Sequence, residues 1–186
     1  MVGMTAVETW GRFTRADFEA LPEDAGDGIR YELLDGAIIM TPSPGVAHQA
    51  VVGGIWRLLD DEAPDGLRVF VAPLDVYLPT EDILEPDVLV VDETAIVDDK
   101  IQGGVPLLAV EVLSPSSRRR DVGDKLTAYR DAGVPSYWVV DPVRPRLQVW
   151  QLVDGEYVEV ADVSGDEEWT AEAPYAVTVR PDDLLR

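Results

Sequence analysis

The chain has 186 residues, of which 46% are hydrophobic, and it contains no cysteine and a single histidine, His48. This length and hydrophobic content are typical of one folded domain, so we expect a single domain over residues 1–186. The lack of cysteine excludes disulfide bonds and thiolate metal sites, and one histidine cannot form a multi-histidine zinc site.

The N-terminal stretch from Met1 to Phe13 has no basic segment followed by an apolar one, which a secretory signal would require. No apolar run in the sequence approaches the roughly 20 residues that a membrane-spanning helix needs. We therefore expect a soluble, cytoplasmic protein that does not interact with membranes.

The charge of the chain is strongly acidic, with 15 Lys and Arg against 36 Asp and Glu and a formal net charge of −21. Such a field repels nucleic acid at long range. Acidic runs such as Asp60 to Glu62 and Asp162 to Glu172 are typical of solvated surface. A nucleic-acid function would therefore depend on the local potential at one site, because salt screens more distant charges.

The first half of the chain predicts a short helix, a hairpin and a longer helix. A capping pattern predicts a helix from Thr14 to Leu21. Tyr31 to Leu34 and Ala37 to Met40 flank Asp35-Gly36, which is a strong hairpin turn signal. From Pro44 to about Glu62, apolar residues recur at helical spacing and predict an amphipathic helix.

Three strand-like runs follow, Leu67 to Leu78, Pro86 to Val91 and Pro106 to Leu113. The second and third are nearly all apolar, as in strands that are buried on both faces. Asp121 to Ala132 then predicts a helix, and Ser136 to Val140 predicts the next strand. The short connections in this strand–helix–strand stretch indicate a parallel, right-handed crossover.

The last part of the chain predicts a second hairpin, because Leu147 to Val153 and Tyr157 to Val163 flank Asp154-Gly155. The tail from Trp169 is expected to add at most an edge strand and a helical turn. Together these elements predict an α/β fold with buried central strands and hairpins near both ends.

Three charged residues converge in this arrangement: Asp87 at the start of a buried strand, Glu111 near the end of the next strand, and Lys125 in the helix that follows. Asp87 and Glu111 would present two carboxylates to one divalent cation, for which Mg²⁺ is suited, with the carbonyl of Val112 as a further ligand. Such a cation lowers the pKa of a bound water, while a lysine stabilises an anionic transition state. This combination predicts phosphodiester hydrolysis.

Each of these residues also has a structural interpretation. Asp87 could be solvated or cap a loop. Glu111 lies inside an apolar strand, where burial without a partner or metal is costly, but a structural ion pair would also satisfy it. Lys125 lies four residues after Asp121, so a surface ion pair on the helix would explain it without catalysis.

Segments along nearly the whole chain resemble a known family. They are Tyr31 to Gly36, Thr41 to Pro44 with His48 and Gln49, Val71 to Val76, Glu85 to Val88, Val110 to Asp121, Lys125 with Tyr129, Ala132 to Pro135 and Tyr137 to Pro142. Each segment alone is weak, but their order and spacing are specific. The chain resembles the Uma-type family of restriction-endonuclease-like bacterial proteins.

The resemblance implies the restriction-endonuclease-like fold, a mixed central sheet flanked by helices, with an active site of the PD-(D/E)XK type. It implies that Asp87 and Glu111 are metal ligands and that Glu32 is an additional acidic member. The standard motif has a lysine two residues after Glu111, where this chain has Leu113. The resemblance implies that Lys125 has taken over that role.

Further residues are candidates for supporting roles. His48, which recurs in the family pattern, would hold a carboxylate, touch a phosphate or be structural. Tyr129 lies on the helix face that carries the lysine and would form a wall of the site or be a core aromatic. Arg118, Arg119 and Arg120 form a basic cluster that would contact phosphates or pair with surface acids.

The leading hypothesis is therefore a DNA endonuclease that uses Mg²⁺, or Mn²⁺ in its place. One alternative is a non-catalytic DNA-binding or regulatory protein that keeps the nuclease fold. Another is a partner-binding protein, because an acidic surface suits a basic partner better than DNA. Restriction-like enzymes often pair two subunits, and the apolar hairpins favour a homodimer.

Overall fold

The computed structural model describes residues 12–22, 30–115 and 117–185, so most of the N-terminal stretch lies outside the described residues. The helices are α1 (Arg15–Glu19), α2 (Val46–Asp61), α3 (Arg118–Asp121) and α4 (Asp124–Asp131), with 3-10 turns at Glu93–Ala95 and Pro181–Leu185. The strands are β1 (Arg30–Leu34), β2 (Ala37–Thr41), β3 (Leu67–Val71), β4 (Val76–Tyr77), β5 (Ile83–Leu84), β6 (Val88–Asp92), β7 (Ile96–Val97), β8 (Lys100–Ile101), β9 (Leu108–Val112), β10 (Ser136–Asp141), β11 (Arg146–Val153), β12 (Glu156–Ser164), β13 (Trp169–Ala171) and β14 (Val177–Val179). Within the described ranges, every helix is too short or too polar to cross a lipid bilayer.

Two six-stranded sheets form the body of the fold. The main sheet has the order β12-β11-β10-β9-β6-β3, and the side sheet has the order β2-β1-β5-β4-β8-β7. Each contains parallel and antiparallel neighbours, so the predicted α/β fold with a mixed sheet is confirmed. The side sheet is not evident from the sequence, because β4, β5, β7 and β8 have two residues each. Segments this short carry no readable alternation of apolar and polar residues.

The main sheet places Glu111 in β9 and Asp87 immediately before β6, the neighbouring strand. β9 lies between β6, to which it is antiparallel, and β10, to which it is parallel. The predicted parallel connection is therefore confirmed, although the helix predicted from Asp121 to Ala132 is divided into α3 and α4 at Val122-Gly123. β9 is buried throughout and β6 is buried except for Asp92, as their apolar sequences predict.

The prediction of one strand-like run from Leu67 to Leu78 is wrong. β3 ends at Val71, and the chain then crosses from the main sheet to β4 of the side sheet. Pro73 lies at this crossing. A proline has no amide to donate to a sheet ladder, so it favours the end of a strand over its interior.

Both predicted hairpins are confirmed. β1 pairs with β2 around Asp35-Gly36, and β11 pairs with β12 around Asp154-Gly155. All four turn residues have positive φ, between 50° and 83°, as the tight turn that matches the twist of paired strands requires. The tail differs from its prediction, because β13 and β14 form their own two-stranded sheet.

Helices pack on both faces of the main sheet and place its polar side chains. The apolar stripe of α2, which includes Val51, Ile55 and Leu59, packs with the even-numbered residues of β6 and β9. Odd-numbered residues of the same strands pack with Ala128 and Tyr129 of α4. Because side chains alternate along a strand, Glu111 belongs to the face that α4 covers.

Candidate active site

Asp87 immediately precedes β6 and is 5% exposed, so its interpretation as a solvated carboxylate is wrong. Its Oδ2 accepts a hydrogen bond from the Val112 amide at 2.8 Å and lies 3.2 Å from Nε2 of His48. Its Oδ1 lies 3.6 Å from Nη1 of Arg30. Burial opposes ionisation of Asp87, but His48, the Val112 amide and Lys125 together hold its pKa below the ordinary value.

Glu111 lies in β9, is 3% exposed and has both of its bonding partners on α4. Its Oε1 accepts hydrogen bonds from Nζ of Lys125 at 2.8 Å and from the hydroxyl of Tyr129 at 3.1 Å. Burial raises the pKa of Glu111 well above its ordinary value, and although Lys125 opposes this shift, the acids Asp121, Asp87 and Glu32 add to it. The carboxylate therefore sits in a site that disfavours uncompensated negative charge.

Lys125 bridges the two sheets through α4 and is 4% exposed. Its Nζ lies 2.8 Å from Oε1 of Glu111 and 2.8 Å from Oε1 of Glu32, which belongs to β1 of the side sheet. Burial alone would lower the pKa of Lys125, but Glu111, Glu32 and Asp121 raise it, so the side chain stays a cation. The surface ion pair with Asp121 that would explain Lys125 without a site is therefore wrong.

The packing of the core explains why the lysine of the site is Lys125 on α4 and not a residue at position 113. Leu113, which occupies the standard motif position, is 4% exposed and belongs to the apolar cluster that also contains Ala128 and Tyr129 of α4. A lysine at position 113 would bury its charge among these apolar groups. From α4, by contrast, Lys125 meets two carboxylates.

Asp87, Glu111 and Lys125 line one cavity of about 180 Å³, which we call the acidic cavity. It is lined by side chains and main chain from β1, α2, the strand ends and α3–α4: Arg30, Glu32, Thr41, Pro42, Ser43, Pro44, Gly45, His48, Glu85, Asp87, Glu111, Val112, Ser114, Pro115, Ser117, Arg120, Asp121 and Lys125. Three segments distant in the sequence thus supply its charged groups.

Two of the predicted supporting residues hold the acids in place. His48 in α2 is 8% exposed and its Nε2 lies 3.2 Å from Asp87, a contact that fits the first of the three alternatives left open for it. Tyr129 is fully buried, its ring packs in a tilted arrangement with that of Tyr137 at a centroid distance of 5.1 Å, and its hydroxyl donates to Glu111. It is therefore a core aromatic that lies behind the site: it bonds to Glu111 but is not among the residues that line the cavity described above.

The arginine cluster divides into three different environments. Arg118 is exposed and pairs with Asp141 at 2.6 Å, while Arg119 is exposed and does not line the acidic cavity. Arg120 is partly buried and lines the cavity, and its Nε has no hydrogen-bond partner among the described residues. Of the three residues predicted to contact phosphate, only Arg120 faces the site.

Arg30 and Glu85 are cavity residues that the sequence does not single out, whereas Asp121 lines the cavity from the helix side on which the sequence places it with Lys125. Arg30 lies 3.6 Å from Asp87 and 3.8 Å from Glu85, and its Nε is also without a hydrogen-bond partner in the described part of the chain. Since Arg30 and Glu32 are two residues apart in one strand, period-two alternation is the signal that would have found it. Burial raises the pKa of Glu85 to about 7, and the charge of Asp75 adds to this.

Asp121 ends α3 and is 1% exposed. Neither of its carboxylate oxygens has a hydrogen-bond partner among the described residues. Burial raises the pKa of Asp121 to about 6, against the effects of Lys125 and the nearby Ser117 hydroxyl. The hydroxyl oxygen of Ser117 is itself within hydrogen-bond distance of Ser114.

The cavity offers mainly carboxylate oxygens as ligands, which are the ligands that hard divalent cations prefer. Five carboxylates face three Lys and Arg side chains in the lining, so negative charge is in excess. The described residues contain no group of three or more His, Cys, Asp or Glu already arranged around a metal position. Lys125 accounts for part of this, because its ammonium lies between Glu32 and Glu111. Mg²⁺ commonly binds through one or two carboxylates and several waters, so the residues present fit such an ion.

Comparisons with known proteins identify the family of the chain and a protein with a similar fold. A family model described as "Uma2: Putative restriction endonuclease" matches residues 15–180. The fold also matches a crystal structure described as "a putative nuclease belonging to DUF820 from Anabaena variabilis ATCC 29413", with a TM-score of 0.72 and 20% identity over 93% of this chain and 97% of that chain. No curated protein matches the chain. Because the family model spans most of the sequence, the protein belongs to the Uma2 family.

Proposed function

We propose that this protein is a Mg²⁺-dependent endonuclease that hydrolyses phosphodiester bonds of DNA. The observation that carries the proposal is the meeting of three buried charged side chains, Asp87, Glu111 and Lys125, at one cavity. Membership of a family described as restriction endonucleases supports nucleic acid as the substrate. The chain also shares its fold with a protein whose structure is described as that of "a putative nuclease".

Asp87 and Glu111 would hold the cation, with Glu32 and the carbonyl of Val112 as further ligands. Oδ1 of Asp87 is the oxygen that the Val112 amide and His48 do not contact, and Nη1 of Arg30 lies 3.6 Å from it. When bound, Mg²⁺, or Mn²⁺ in its place, lowers the pKa of water and neutralises charge that develops on a phosphate.

The residues of the chain supply positioning and fixed positive charge. Glu32 and Glu111 keep Lys125 charged, and its ammonium would stabilise the phosphate as negative charge builds up during attack. His48 fixes the orientation of Asp87 by its contact with Oδ2. The unpartnered Nε atoms of Arg30 and Arg120 are donors that would bind phosphate oxygens.

A protein of net charge −21 could bind DNA if the charge close to the cavity were favourable. At physiological salt the screening length is about 8 Å, so groups at the cavity decide contact. Without a cation the acids dominate the cavity, whereas a bound divalent ion leaves Lys125, Arg30 and Arg120 to attract phosphate. DNA binding is therefore expected to require a divalent cation.

A cleavage assay on supercoiled and linear DNA with Mg²⁺, Mn²⁺ or EDTA tests the proposal. We expect cleavage with either metal, none with EDTA, and a loss of about 100-fold or more in Asp87→Asn and Glu111→Gln. Asp162→Asn is the matched control, since this acid pairs with Arg146 at the surface. Wild-type protein that binds DNA but never cleaves it under these conditions would contradict the proposal.

One observation favours a second function, a DNA-binding protein that keeps the nuclease fold without turnover. Lys125 is neutralised by two acids at 2.8 Å, which leaves it less available to a phosphate. This alternative predicts DNA binding in Ca²⁺, Mg²⁺ and Mn²⁺ alike, with no product in any of them.

A homodimer remains part of the proposal. β12 is the last strand of the main sheet, and its hairpin exposes Val153, Val158 and Val160 by 49%, 48% and 41%. Apolar side chains on an edge hairpin suit a two-fold contact between subunits. Sedimentation at micromolar concentration should show a dimer that Val158→Lys weakens, whereas a strict monomer would remove this part of the proposal.

A further inference from the structure

Asp121 is a charged group of the acidic cavity that no role assigned so far explains. Its side chain is 1% exposed, lines the cavity, and has no hydrogen-bond partner for either oxygen among the described residues. An ionised carboxylate removed from water without partners is strongly unfavourable. Folded proteins keep such groups where a ligand completes them.

The groups around Asp121 satisfy it only in part, because the nearby Ser117 hydroxyl favours its charged form but no cation among the described side chains pairs with it. The ammonium of Lys125, one turn along the chain, is bonded to Glu32 and Glu111 instead. No arginine of the described residues, including the adjacent Arg120, lies within 4.0 Å of its oxygens as an ion-pair partner. Glu111, Asp87 and Glu32 surround it with further negative charge.

The position of Asp121 is fixed by the core. The hydroxyl of Tyr137 donates to its backbone carbonyl at 2.7 Å, and its own amide donates to the carbonyl of Ser117 at 3.0 Å. Tyr137 is fully buried in β10, so this anchor belongs to the main sheet. The unpartnered carboxylate is therefore held beside the cavity by both its neighbours in the chain and the sheet beneath it.

An anion such as phosphate would not bind this group, because the negative charge of a carboxylate repels it. A divalent cation has the opposite charge and takes carboxylate oxygens as ligands. We propose that Asp121 is an additional cation-holding residue of this site and binds a divalent ion such as Mg²⁺ or Mn²⁺ together with Glu111. This inference rests on the proposed function, since it adds a ligand to the same site.

A site with only two carboxylate ligands does not require three acids to be grouped in advance. No three of the described acids, histidines or cysteines already surround one metal position. A pair of carboxylates with waters in the remaining positions is a common arrangement for Mg²⁺. Asp121 has both oxygens available for such a pair.

Calorimetric titration of the whole chain with Mn²⁺ tests the inference without relying on activity. We expect Asp121→Asn to weaken Mn²⁺ binding by about tenfold or more, since a hard cation binds an amide oxygen less strongly than a carboxylate. Asp124→Asn is the matched control, because Asp124 is an exposed residue of the same type three positions away. Its affinity should equal that of the wild type.

A second readout guards against a folding defect. The increase in melting temperature that Mn²⁺ produces should shrink in Asp121→Asn and in Asp121→Ser, while circular dichroism in EDTA stays that of the wild type. Wild-type Mn²⁺ affinity and wild-type stabilisation in both variants would overturn the inference. So would a wild-type protein that binds no Mn²⁺ at millimolar concentration.

The two proposals fail in different ways. If Asp121→Asn cleaves DNA and binds Mn²⁺ as the wild type does, the role of Asp121 is wrong and the nuclease proposal stands. If the wild type binds Mn²⁺ through Asp121 but never cleaves DNA, the cation inference stands and the nuclease proposal falls.

Discussion

Two buried aspartates of the acidic cavity have nearly opposite surroundings. Asp87, before β6, has an amide and a histidine at one oxygen and an arginine near the other, and its pKa is lowered. Asp121, at the end of α3, has no bonded partner among the described residues, and its pKa is raised to about 6. The carboxylate of Asp87 is thus satisfied by protein groups, whereas the carboxylate of Asp121, at another wall of the same cavity, is not.

The difference separates two tasks that a site of this kind must combine. Partners that favour the charged form make Asp87 a stable, oriented anion in the absence of any ligand. A buried acid without partners opposes folding until a ligand binds, and its burial then strengthens the interaction with that ligand. Lys125 is an intermediate case. Its ammonium is paired with Glu32 and Glu111, but each of these acids uses one carboxylate oxygen in that pair.

The largest effect is expected from removing the central cation. Lys125→Met leaves Glu32 and Glu111 buried without their shared partner, which should lower the free energy of unfolding by roughly 3–5 kcal/mol and the melting temperature by on the order of 10 °C. Urea denaturation at pH 7 measures it. Lys100→Met is the control, because Lys100 is 45% exposed and its loss should be minor. A loss in Lys125→Met no larger than in the control would mean that the two acids are satisfied without the lysine.

The pH dependence of stability should change in Glu85→Gln. Burial and Asp75 raise the pKa of Glu85 to about 7 in the folded chain, against about 4.5 when unfolded. The folded state therefore holds the proton more tightly, and the stability due to this group is complete below about pH 4.5 and lost as the pH rises towards 7. Between pH 5 and pH 8 in EDTA, the wild type should lose on the order of 2–3 kcal/mol more than Glu85→Gln. Glu156→Gln, at an exposed residue, should follow the wild type.

The contrast between the two aspartates predicts opposite signs. Asp87→Asn loses charge-assisted bonds to His48 and Val112 and should destabilise the protein by about 2 kcal/mol. Asp121→Asn removes a buried charge without partners, so in EDTA at pH 8 the free energy of unfolding should stay constant or rise by about 1 kcal/mol. Guanidinium denaturation of both variants checks this. A comparable loss in both would show that Asp121 has a stabilising partner.

Sequence reasoning located the main elements of the fold for identifiable reasons. Asp-Gly pairs specified both hairpins, and the apolar runs of β6, β9 and β10 identified buried strands. A charge within such a run, Glu111, is a signal that needs no structure, because burial of a carboxylate is costly. The Thr14 cap of α1 was likewise readable from local spacing.

What the sequence could not reveal were contacts between distant segments. Arg30 reaches Asp87 across 57 positions, and no local pattern records that pairing. Asp121 could be placed on the helix side near Lys125, but only the structure shows that the lysine turns to Glu32 and Glu111 instead. The short strands of the side sheet could not be predicted for a similar reason. Each has only two residues, and its pairing depends on partners elsewhere in the chain.

The smallest predicted effect distinguishes residues that the sequence treats as equivalent. Arg120 lines the acidic cavity with an unpartnered Nε, whereas Arg119 is exposed away from it, although both belong to one basic run. With Ca²⁺ present to support binding without hydrolysis, Arg120→Glu should weaken DNA binding by about 1–2 kcal/mol, or roughly tenfold, because it replaces a phosphate donor at the site with a repelling acid. Arg119→Glu should have a clearly smaller effect that fades as salt is raised, since only an exposed charge is altered. Fluorescence anisotropy at two salt concentrations measures both variants. Equal losses in the two would mean that DNA contacts the outer face of α3 and that the cavity arginines do not select the phosphate.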